Sequence, residues 1–367
     1  MTRHKAGFFG LDPPSTYLSY MQAGRTFRLL TLIIIVFCKT GIAQVATLPS
    51  VQTLTTGTRT SLRGLSVVSD NVVWVSGSNG TVGRSSDGGK EWKWMTVKGF
   101  EKVDFRDIEA FDATTAVIMG TSEPAYILRT VDAGESWQVV FEDKTPGMFL
   151  DAMEFWNEQS GIVIGDPLNG RFFFARTFDG GKTWMKLSPD QLPMAEAGEA
   201  CFAASGTNIR ALDNDEAVFV SGGKASSIFI RDHKTSLPLL SGETLGANSI
   251  AVWDRFQKNG GNHLVVVGGD FNNPKNDSLI CFFSRDRGKT WIASMEHPHG
   301  YRSCVEFVNK KTLVTCGLSG VDYSTNGAET WEVISNESFH VCRRAKSGKS
   351  VYLAGPNGRV AKLVKAK

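Results

Sequence analysis

Residues 177–184 read TFDGGKTW, and this stretch is one copy of a pattern that recurs along the chain. The pattern is Ser/Thr-x-Asp-x-Gly-x-x-Trp, and three other stretches match it fully: SSDGGKEW (85–92), TVDAGESW (130–137) and SRDRGKTW (284–291). A fifth copy, STNGAETW (324–331), has Asn326 and Ala328 at the Asp and Gly positions, and in a sixth, IRDHKTSL (230–237), only Asp232 remains. Such self-similarity indicates an architecture built from repeated units.

The residue types of the pattern describe a tight turn between two strands. The hydroxyl and carboxylate side chains can bond to turn amides, and the glycine tolerates a positive φ. The tryptophan has a large apolar surface to place between neighbouring sheets. We therefore predict a structural role for the repeated side chains, which are Asp87, Asp132, Asp179, Asp286, Trp92, Trp137, Trp184, Trp291 and Trp331.

Two further repeats count the units. Apolar strand-like segments end in Gly77, Gly120, Gly165, Gly222, Gly268, Gly317 and Gly355. Upstream of each lies another strand-like segment: RGLSVV (from Arg63), RDIEAF (from Arg106), LDAMEF (from Leu150), EACFAA (from Glu199), NSIAVW (from Asn248), RSCVEF (from Arg302) and HVCRRA (from His340). We interpret this upstream segment as the innermost strand of a blade.

Seven units in residues 44–367 leave about 46 residues for each, near the ~40–50 of a four-stranded blade. The last unit lacks a fourth strand, and residues 51–57 (VQTLTTG) can supply it, which removes the exposed sheet edge. The prediction is an all-β fold: one seven-bladed β-propeller of four-stranded antiparallel blades over 44–367, closed by an N-terminal strand.

Residues 1–43 have the composition of a secretory leader. Arg25 and Arg28 precede the apolar run LLTLIIIVFC (29–38), and the small residues Gly41 and Ala43 follow. The run is half of the roughly 20 residues that a membrane span needs. We expect cleavage before Gln44, export to the periplasm or beyond, and no membrane span in the mature chain.

Charge excludes one class of partner. The whole chain has 40 Lys plus Arg and 37 Asp plus Glu. Five of the basic residues and one acidic residue precede residue 44, so the mature chain is left with 35 and 36. A balance this even argues against nucleic-acid binding. No dinucleotide fingerprint or zinc spacing is present, and we expect no cofactor and no metal.

Units such as GIVIGDPLNGRFFFARTFDGGKTW resemble the Asp-box, or BNR, repeat of β-propellers. More specifically they are similar to the exported propellers of the photosystem II assembly and stability factor family. That resemblance implies a non-catalytic, monomeric scaffold that binds a protein partner, with arginines on one face of the torus. The lost box of the fourth unit and an insertion at 270–277 depart from the family pattern.

Topology predicts where a site would lie. If the innermost strands all start at one end of the channel, their first residues ring that mouth: Arg63, Arg106, Glu199, Asn248, Arg302 and His340. The next loops bring Glu123, Asp166 and Asp270 to the same face. Guanidinium groups there can bind an acidic partner, or all these side chains can be mutually paired channel residues.

The alternative is a carbohydrate-binding enzyme, a sialidase-type glycosidase on the same face. Arg63, Arg106 and Arg302 would imitate its arginine triad, Asp166 or Asp270 its acid, and Tyr301 its nucleophile. Against this, FRDI (105–108) lacks the proline of the sialidase signature, and sialidases have six blades.

Five cysteines follow the leader: Cys201, Cys281, Cys304, Cys316 and Cys342. Three of them share a position in the innermost strands, which favours buried free thiols. Cys304 and Cys316 fall on neighbouring strands, and they are the pair for which a disulfide is worth testing.

Overall fold

The computed structural model describes residues 47–365 except Asn214, Asp232 and Asn259, and these residues form seven antiparallel sheets. Each sheet is one blade, and the strands of a blade follow one another outward from a central channel. The seven-bladed propeller predicted from the repeats is therefore confirmed. The leader predicted at 1–43 lies outside the described residues.

The first three blades are regular four-stranded sheets. Blade 1 contains β2 (Leu62–Val67), β3 (Val73–Gly77), β4 (Thr81–Ser85) and β5 (Lys93–Thr96). Blade 2 contains β6 (Phe105–Ala110), β7 (Ala116–Gly120), β8 (Ala125–Thr130) and β9 (Gln138–Asp143). Blade 3 contains β10 (Leu150–Phe155), β11 (Gly161–Leu168), β12 (Arg171–Thr177) and β13 (Met185–Lys186).

The other four blades complete the ring. Blade 4 contains β14 (Glu199–Ala200), β15 (Ile209–Ala211), β16 (Ala217–Gly223), β17 (Ser227–Ile230) and β18 (His233–Ser236). Blade 5 contains β19 (Ala247–Val252), β20 (Leu264–Gly268), β21 (Cys281–Ser284) and β22 (Ile292–Ala293). Blade 6 contains β23 (Cys304–Phe307), β24 (Leu313–Gly317), β25 (Gly320–Ser324) and β26 (Glu332–Ser335). Blade 7 contains β27 (Val341–Arg344), β28 (Val351–Ala354), β29 (Val360–Val364) and β1 (Ser50–Thr55). Two short 3-10 helices, Pro189–Gln191 and Pro356–Gly358, lie in loops.

The ring closes in the way the sequence predicts. The N-terminal strand β1 pairs antiparallel with β29, from Ser50 opposite Val364 to Thr55 opposite Val360. Around the channel, each innermost strand contacts the next, in the cyclic order β2, β6, β10, β15, β19, β23, β27 and back to β2. Closure gives the last outer strand a partner from the other chain terminus.

Apolar side chains fill the spaces between neighbouring blades. One buried cluster combines Val73 and Val75 of blade 1 with Val351 and Leu353 of blade 7. The alternation of side chains along each strand places one set against the preceding blade and the other against the following blade. The core is therefore distributed around the torus, which leaves the channel to polar residues.

The repeated strand-end glycines are required by a close backbone approach. A Cβ at Gly268 would overlap the carbonyl oxygen of Gly246, and one at Gly317 would overlap that of Tyr301. In both blades the overlapped atom belongs to the chain just before the innermost strand. The absence of a side chain at this glycine thus allows the segment that leads into the innermost strand to pass directly against the end of the second strand.

Blade 4 departs from the prediction of a continuous innermost strand at EACFAA. Only Glu199 and Ala200 form β14, and residues 201–208 leave the sheet before β15 begins. We call residues 201–208 the channel plug, because they bond to blades on the far side of the channel, as three contacts with blades 1, 6 and 7 show. The carbonyl of Ala204 accepts from Arg63 Nη1 (3.2 Å), that of Gly206 accepts from Arg343 Nη2 (2.9 Å), and Ser205 Oγ donates to Ser303 O (2.7 Å).

A second departure in blade 4 explains its lost box. Strands β17 and β18 pair up to Ile230 opposite His233, so only two residues join them. The first of these, Arg231, has a φ of +56°, and the second, Asp232, lies outside the described residues. A two-residue hairpin replaces the longer box turn.

Among residues 47–365, apart from Asn214, Asp232 and Asn259, no helix has the length and apolar character of a membrane span.

Candidate functional site

The starts of the innermost strands meet at one end of the channel, around a cavity of about 390 Å³. We call this cavity the arginine mouth. Its lining includes Arg63, Arg106, Phe149, Asp166, Phe202, Asn248, Phe271, Tyr301, Leu318 and His340. Of the residues predicted to gather here, Arg63, Arg106, Asp166, Asn248 and His340 do so.

Two arginines give the arginine mouth its positive charge. Arg63 forms no ion pair with any described residue, and its guanidinium bonds to the carbonyl of Ala204. Arg106 pairs with the half-exposed Asp104 (Nε to Oδ2, 2.8 Å), and its Nη1 lies 3.5 Å from the carbonyl of Ala203. Burial, and next the charge of Arg106, lower the pKa of Arg63. Most of the N–H groups of Arg63 are therefore left to meet an anion.

His340 and Asp166 also line the arginine mouth, and of the two only Asp166 can offset this charge at neutral pH. Burial, followed by the charges of Arg63 and Arg106, lowers the pKa of His340 to about 3. The imidazole is thus neutral at pH 7, and its Nε2 lies 3.0 Å from Ser61 Oγ. Burial raises the pKa of Asp166 to about 6, while the N–H of Cys201 donates to its Oδ1 (2.9 Å).

An apolar wall accompanies the arginines. Phe202 and Phe271 meet edge to face, with ring centroids 5.8 Å apart, and Phe271 also contacts Tyr301 at 6.4 Å. Phe271 and Leu318 are both 37% exposed. The repeats did not predict Phe202, Phe271 or Leu318 at the mouth, whereas Phe149 and Tyr301 directly precede the first residues of innermost-strand repeats. The mouth thus offers cationic and apolar contacts together, as protein-recognition sites do.

Arg302 does not belong to the mouth, contrary to the prediction. Its side chain turns away into blade 6, where it is fully buried against the equally buried Asp322. Arg302 Nε donates to Asp322 Oδ2 (2.6 Å), and Nη1 donates to Ser319 Oγ (2.7 Å). An acidic residue on β25, the third strand of the same blade, decides this direction.

Three predicted acids also lie away from the arginine mouth. Glu199 is buried and paired with Lys234 (2.7 Å), and Ser221 Oγ donates to it. Asp270 accepts from Thr244 Oγ1 (2.7 Å) and from the N–H of Asn272. Glu123 accepts from the N–H of Gly147. Each is committed to its own loop or blade.

The sialidase-like constellation is not assembled. Arg302 is separated from Arg63 and Arg106 by its pairing with Asp322, so three guanidinium groups do not converge. Burial raises the pKa of Tyr301, and its hydroxyl donates to Asn248 Oδ1 (2.8 Å). A buried, neutral phenol with a bound proton is poorly suited to nucleophilic attack.

The box aspartates act within their own turns. Asp87 accepts from the backbone N–H groups of Lys90 and Glu91 (both 3.0 Å) and from Ser85 Oγ (2.9 Å), which itself accepts from the N–H of Gly89. Equivalent bonds hold Asp132, Asp179 and Asp286. The box tryptophans Trp184 and Trp331 are buried, and Trp92, Trp137 and Trp291 are half-buried.

All five cysteines described are buried and free. Cys304 and Cys316 are directly opposite on β23 and β24. Cys342 of the next blade is also close, with its Sγ 3.6 Å from that of Cys304. The bridge between Cys304 and Cys316 stays a prediction. No three His, Cys, Asp or Glu side chains within the described ranges are grouped so that they could hold a metal ion.

Comparison with known proteins agrees with the fold and with the resemblance seen in the repeats. The family model described as "Photosynthesis system II assembly factor YCF48" matches residues 44–150. No curated protein sequence matches. The resemblance to this family is therefore confirmed for the first part of the chain.

Solved structures share the propeller. A structure described as YCF48 bound to D1 peptide has 17% identity and a TM-score of 0.61, covering 88% of this chain and 99% of that chain. YCF48 from Cyanidioschyzon merolae has 15% identity and a TM-score of 0.59, covering 86% and 98%. The WD40 β-propeller domain of Doa1 has 13% identity and a TM-score of 0.59, covering 88% and 98%. At these identities the likeness concerns the fold alone.

Proposed function

We propose that this protein is an exported, non-catalytic propeller scaffold that binds an acidic segment of a protein partner at the arginine mouth. One observation carries the proposal: Arg63 lacks a carboxylate partner among the described residues while it lies beside Arg106 and an apolar wall. A guanidinium in such a place gains charge-assisted hydrogen bonds from a carboxylate. A solved propeller of similar fold has been obtained with a peptide bound.

The binding proposal is tested by charge reversal. Arg63→Glu together with Arg106→Glu is expected to abolish co-purification of the partner from envelope extracts. Lys90→Glu with Lys182→Glu is the matched control, because it changes the net charge equally at exposed lysines of two box turns. Equal capture by both double variants would contradict the proposal, as would the absence of any specific partner of the wild type.

Export is tested separately. Residues 1–43 fused to a reporter enzyme are expected to direct it across the membrane, and the mature protein should begin at Gln44 when its N-terminus is sequenced. A reporter retained in the cytoplasm would contradict export and would leave the binding proposal standing.

A glycosidase at the arginine mouth is the competing outcome. The wild-type protein is expected to release no fluorophore from a fluorogenic sialoside. Turnover that is lost in Arg63→Ala would overturn the non-catalytic proposal.

A further inference from the structure

A larger cavity, of about 730 Å³, lies where the innermost strands end. The channel plug contributes to the arginine mouth through residues such as Phe202, whereas this second cavity begins beyond the plug, at Arg210. Ten charged side chains line it, and we give the name charged floor to five of them, one from each of blades 3 to 7: Glu154, Arg210, Arg255, Glu306 and Arg343. The sequence analysis assigned them no role.

The ion pairs of the charged floor are loose. Arg210 Nη1 lies 3.5 Å from Glu154 Oε2, and Arg210 Nη2 lies 3.7 Å from Glu306 Oε2. Arg343 Nη1 lies 3.9 Å from the same Glu306 oxygen. These separations are at or beyond the limit for a hydrogen bond, so the guanidinium groups are not fully satisfied by the two carboxylates. Of the ion pairs within this floor, only that between Arg255 and Glu154 is closed.

Arg210 is the unsatisfied member. Its side chain is only 4% exposed, and its Nη2 has no hydrogen-bond partner although the side chain lines the cavity. A buried guanidinium N–H without an acceptor is costly, and native proteins usually provide one. An acceptor arriving through the cavity would remove that cost.

The charge count shows what kind of acceptor fits. Three guanidinium groups face two carboxylates within the charged floor, which gives these five residues one excess positive charge. The rest of the lining adds three acidic and two basic side chains, so the cavity as a whole is balanced, but within the described part of the chain none of these is ion-paired with a floor residue: Glu109, Glu158, Asp254, Arg344 and Lys346. Asp107 lies behind Arg343 and is not part of the cavity lining, and burial raises its pKa to about 8. A singly charged anion would balance the floor, whereas a phosphate dianion would be repelled by Glu154 and Glu306.

We propose that this cavity is a second binding site, which takes one carboxylate on Arg210 and Arg343 and places an apolar body against the surrounding aromatic wall. That wall contains Trp253, packed against Phe307 with centroids 5.9 Å apart, and Phe256, which is 52% exposed. Guanidinium groups recognise the planar carboxylate geometry. The carboxylate can belong to a small free acid or to a polypeptide. The inference is independent of the function proposed for the arginine mouth.

The test is calorimetric titration of the full chain at pH 7 with benzoate, benzamide and phenyl phosphate. Benzoate is expected to bind one-to-one. Benzamide and phenyl phosphate should bind more weakly, by about tenfold or more, because benzamide has no charge and phenyl phosphate carries two negative charges. An acetylated peptide ending in phenylalanine is compared with its C-terminal amide. Binding of the peptide acid without benzoate would assign the carboxylate to a polypeptide and support the site.

Variants locate the binding. Arg210→Lys keeps the charge but loses the planar fork, and it is expected to weaken carboxylate binding by about tenfold. Arg285→Lys, the same change at a surface ion pair with Glu329 outside both cavities, is the matched control and should leave the affinity unchanged. If Arg210→Lys does not fold, Arg343→Lys replaces it, and the ligand series on the wild type decides in any case. The proposal would be overturned if benzamide bound as tightly as benzoate, or if phenyl phosphate bound more tightly. It would also be overturned if both floor variants bound benzoate with the wild-type affinity, or if no acid bound at all.

Discussion

The buried pair of Arg302 and Asp322 gives the sharpest prediction about stability. Both side chains are excluded from solvent, and Asp322 also accepts from His299, whose Nδ1 lies 2.8 Å from Asp322 Oδ1. Asp322→Ala leaves a buried guanidinium without its counter-charge. We expect a loss of about 3–5 kcal/mol in the free energy of unfolding, the range for a buried ion pair broken on one side.

A double variant separates the pair from its surroundings. Arg302→Met removes the other charge and retains apolar volume, so the variant carrying both changes should lose less than the sum of the two single losses. The expected coupling is about 1–3 kcal/mol. The measurement is equilibrium denaturation in guanidinium chloride followed by tryptophan fluorescence, with an unchanged dependence on denaturant as the sign of an intact fold.

The control uses an exposed ion pair on the same protein. Asp104→Ala removes the partner of Arg106, where both side chains are about 30% exposed, and should cost no more than about 1 kcal/mol. If Asp322→Ala costs no more than Asp104→Ala, or if the double variant shows no coupling, Arg302 is not held by a buried charge pair and its assignment to the interior of blade 6 fails.

Three further predictions concern the channel plug, the box turns and the arginine mouth. Gly206→Ala should cost about 2–4 kcal/mol in unfolding free energy, because φ is +63° and the new Cβ would overlap the Asp107 carboxyl. Gly170→Ala, also at positive φ (+76°) but with nothing within 4 Å, should cost only about 1–2 kcal/mol, and equal losses would contradict the plug. Hydrogen bonds, led by that from Ser136 Oγ, lower the pKa of Asp132 to about 2. Its contribution to the free energy of unfolding is therefore complete above about pH 4 and is lost as the pH falls through 2. Asp132→Asn should reduce the dependence of the unfolding free energy on pH between these values, and an unchanged slope would refute this. The pKa of Asp166 is raised to about 6, so its carboxylate loses its negative charge between pH 7 and pH 5, and an acidic peptide should bind the arginine mouth more tightly at pH 5. Asp166→Asn should remove that difference in a fluorescence titration, and a wild-type affinity independent of pH would contradict the prediction.

The box turns could be predicted from the sequence because their interactions are local. Ser85, Asp87 and Gly89 bond to one another and to the next few amides, all within eight residues. The same holds where Asn326 replaces the aspartate, since Asn326 Oδ1 still accepts from the N–H of Thr330 (3.0 Å). The turn can therefore be predicted from its eight residues alone wherever the pattern recurs.

The channel could be predicted only in part. The repeat register correctly brought Arg63, Arg106, Asp166 and His340 to one cavity. It did not reveal that Arg302, at the same repeat position, pairs with Asp322 on the third strand of its own blade and is buried there. Equivalent positions in a repeat share backbone geometry, but the direction of a long side chain depends on what its own blade offers.

The channel plug shows the same limit. EACFAA has the apolar character of an innermost strand, yet residues 201–208 leave the sheet to bond with Arg63, Ser303 and Arg343. Those partners are about 100 or more positions away in sequence, at separations of 98 to 141 residues. No local pattern encodes contacts of that range.

The sequence by itself determined the number of blades and their four-stranded form, because strand periodicity and turn chemistry act between close neighbours in the chain. It determined the closure of the ring by count, since the last unit lacks a strand that residues 51–57 can supply. Only the tertiary structure decided that the channel is plugged, that Arg302 is buried, and that the charged floor exists. Those features arise where blades from distant parts of the chain meet, and there burial and opposite charges select one partner for each side chain.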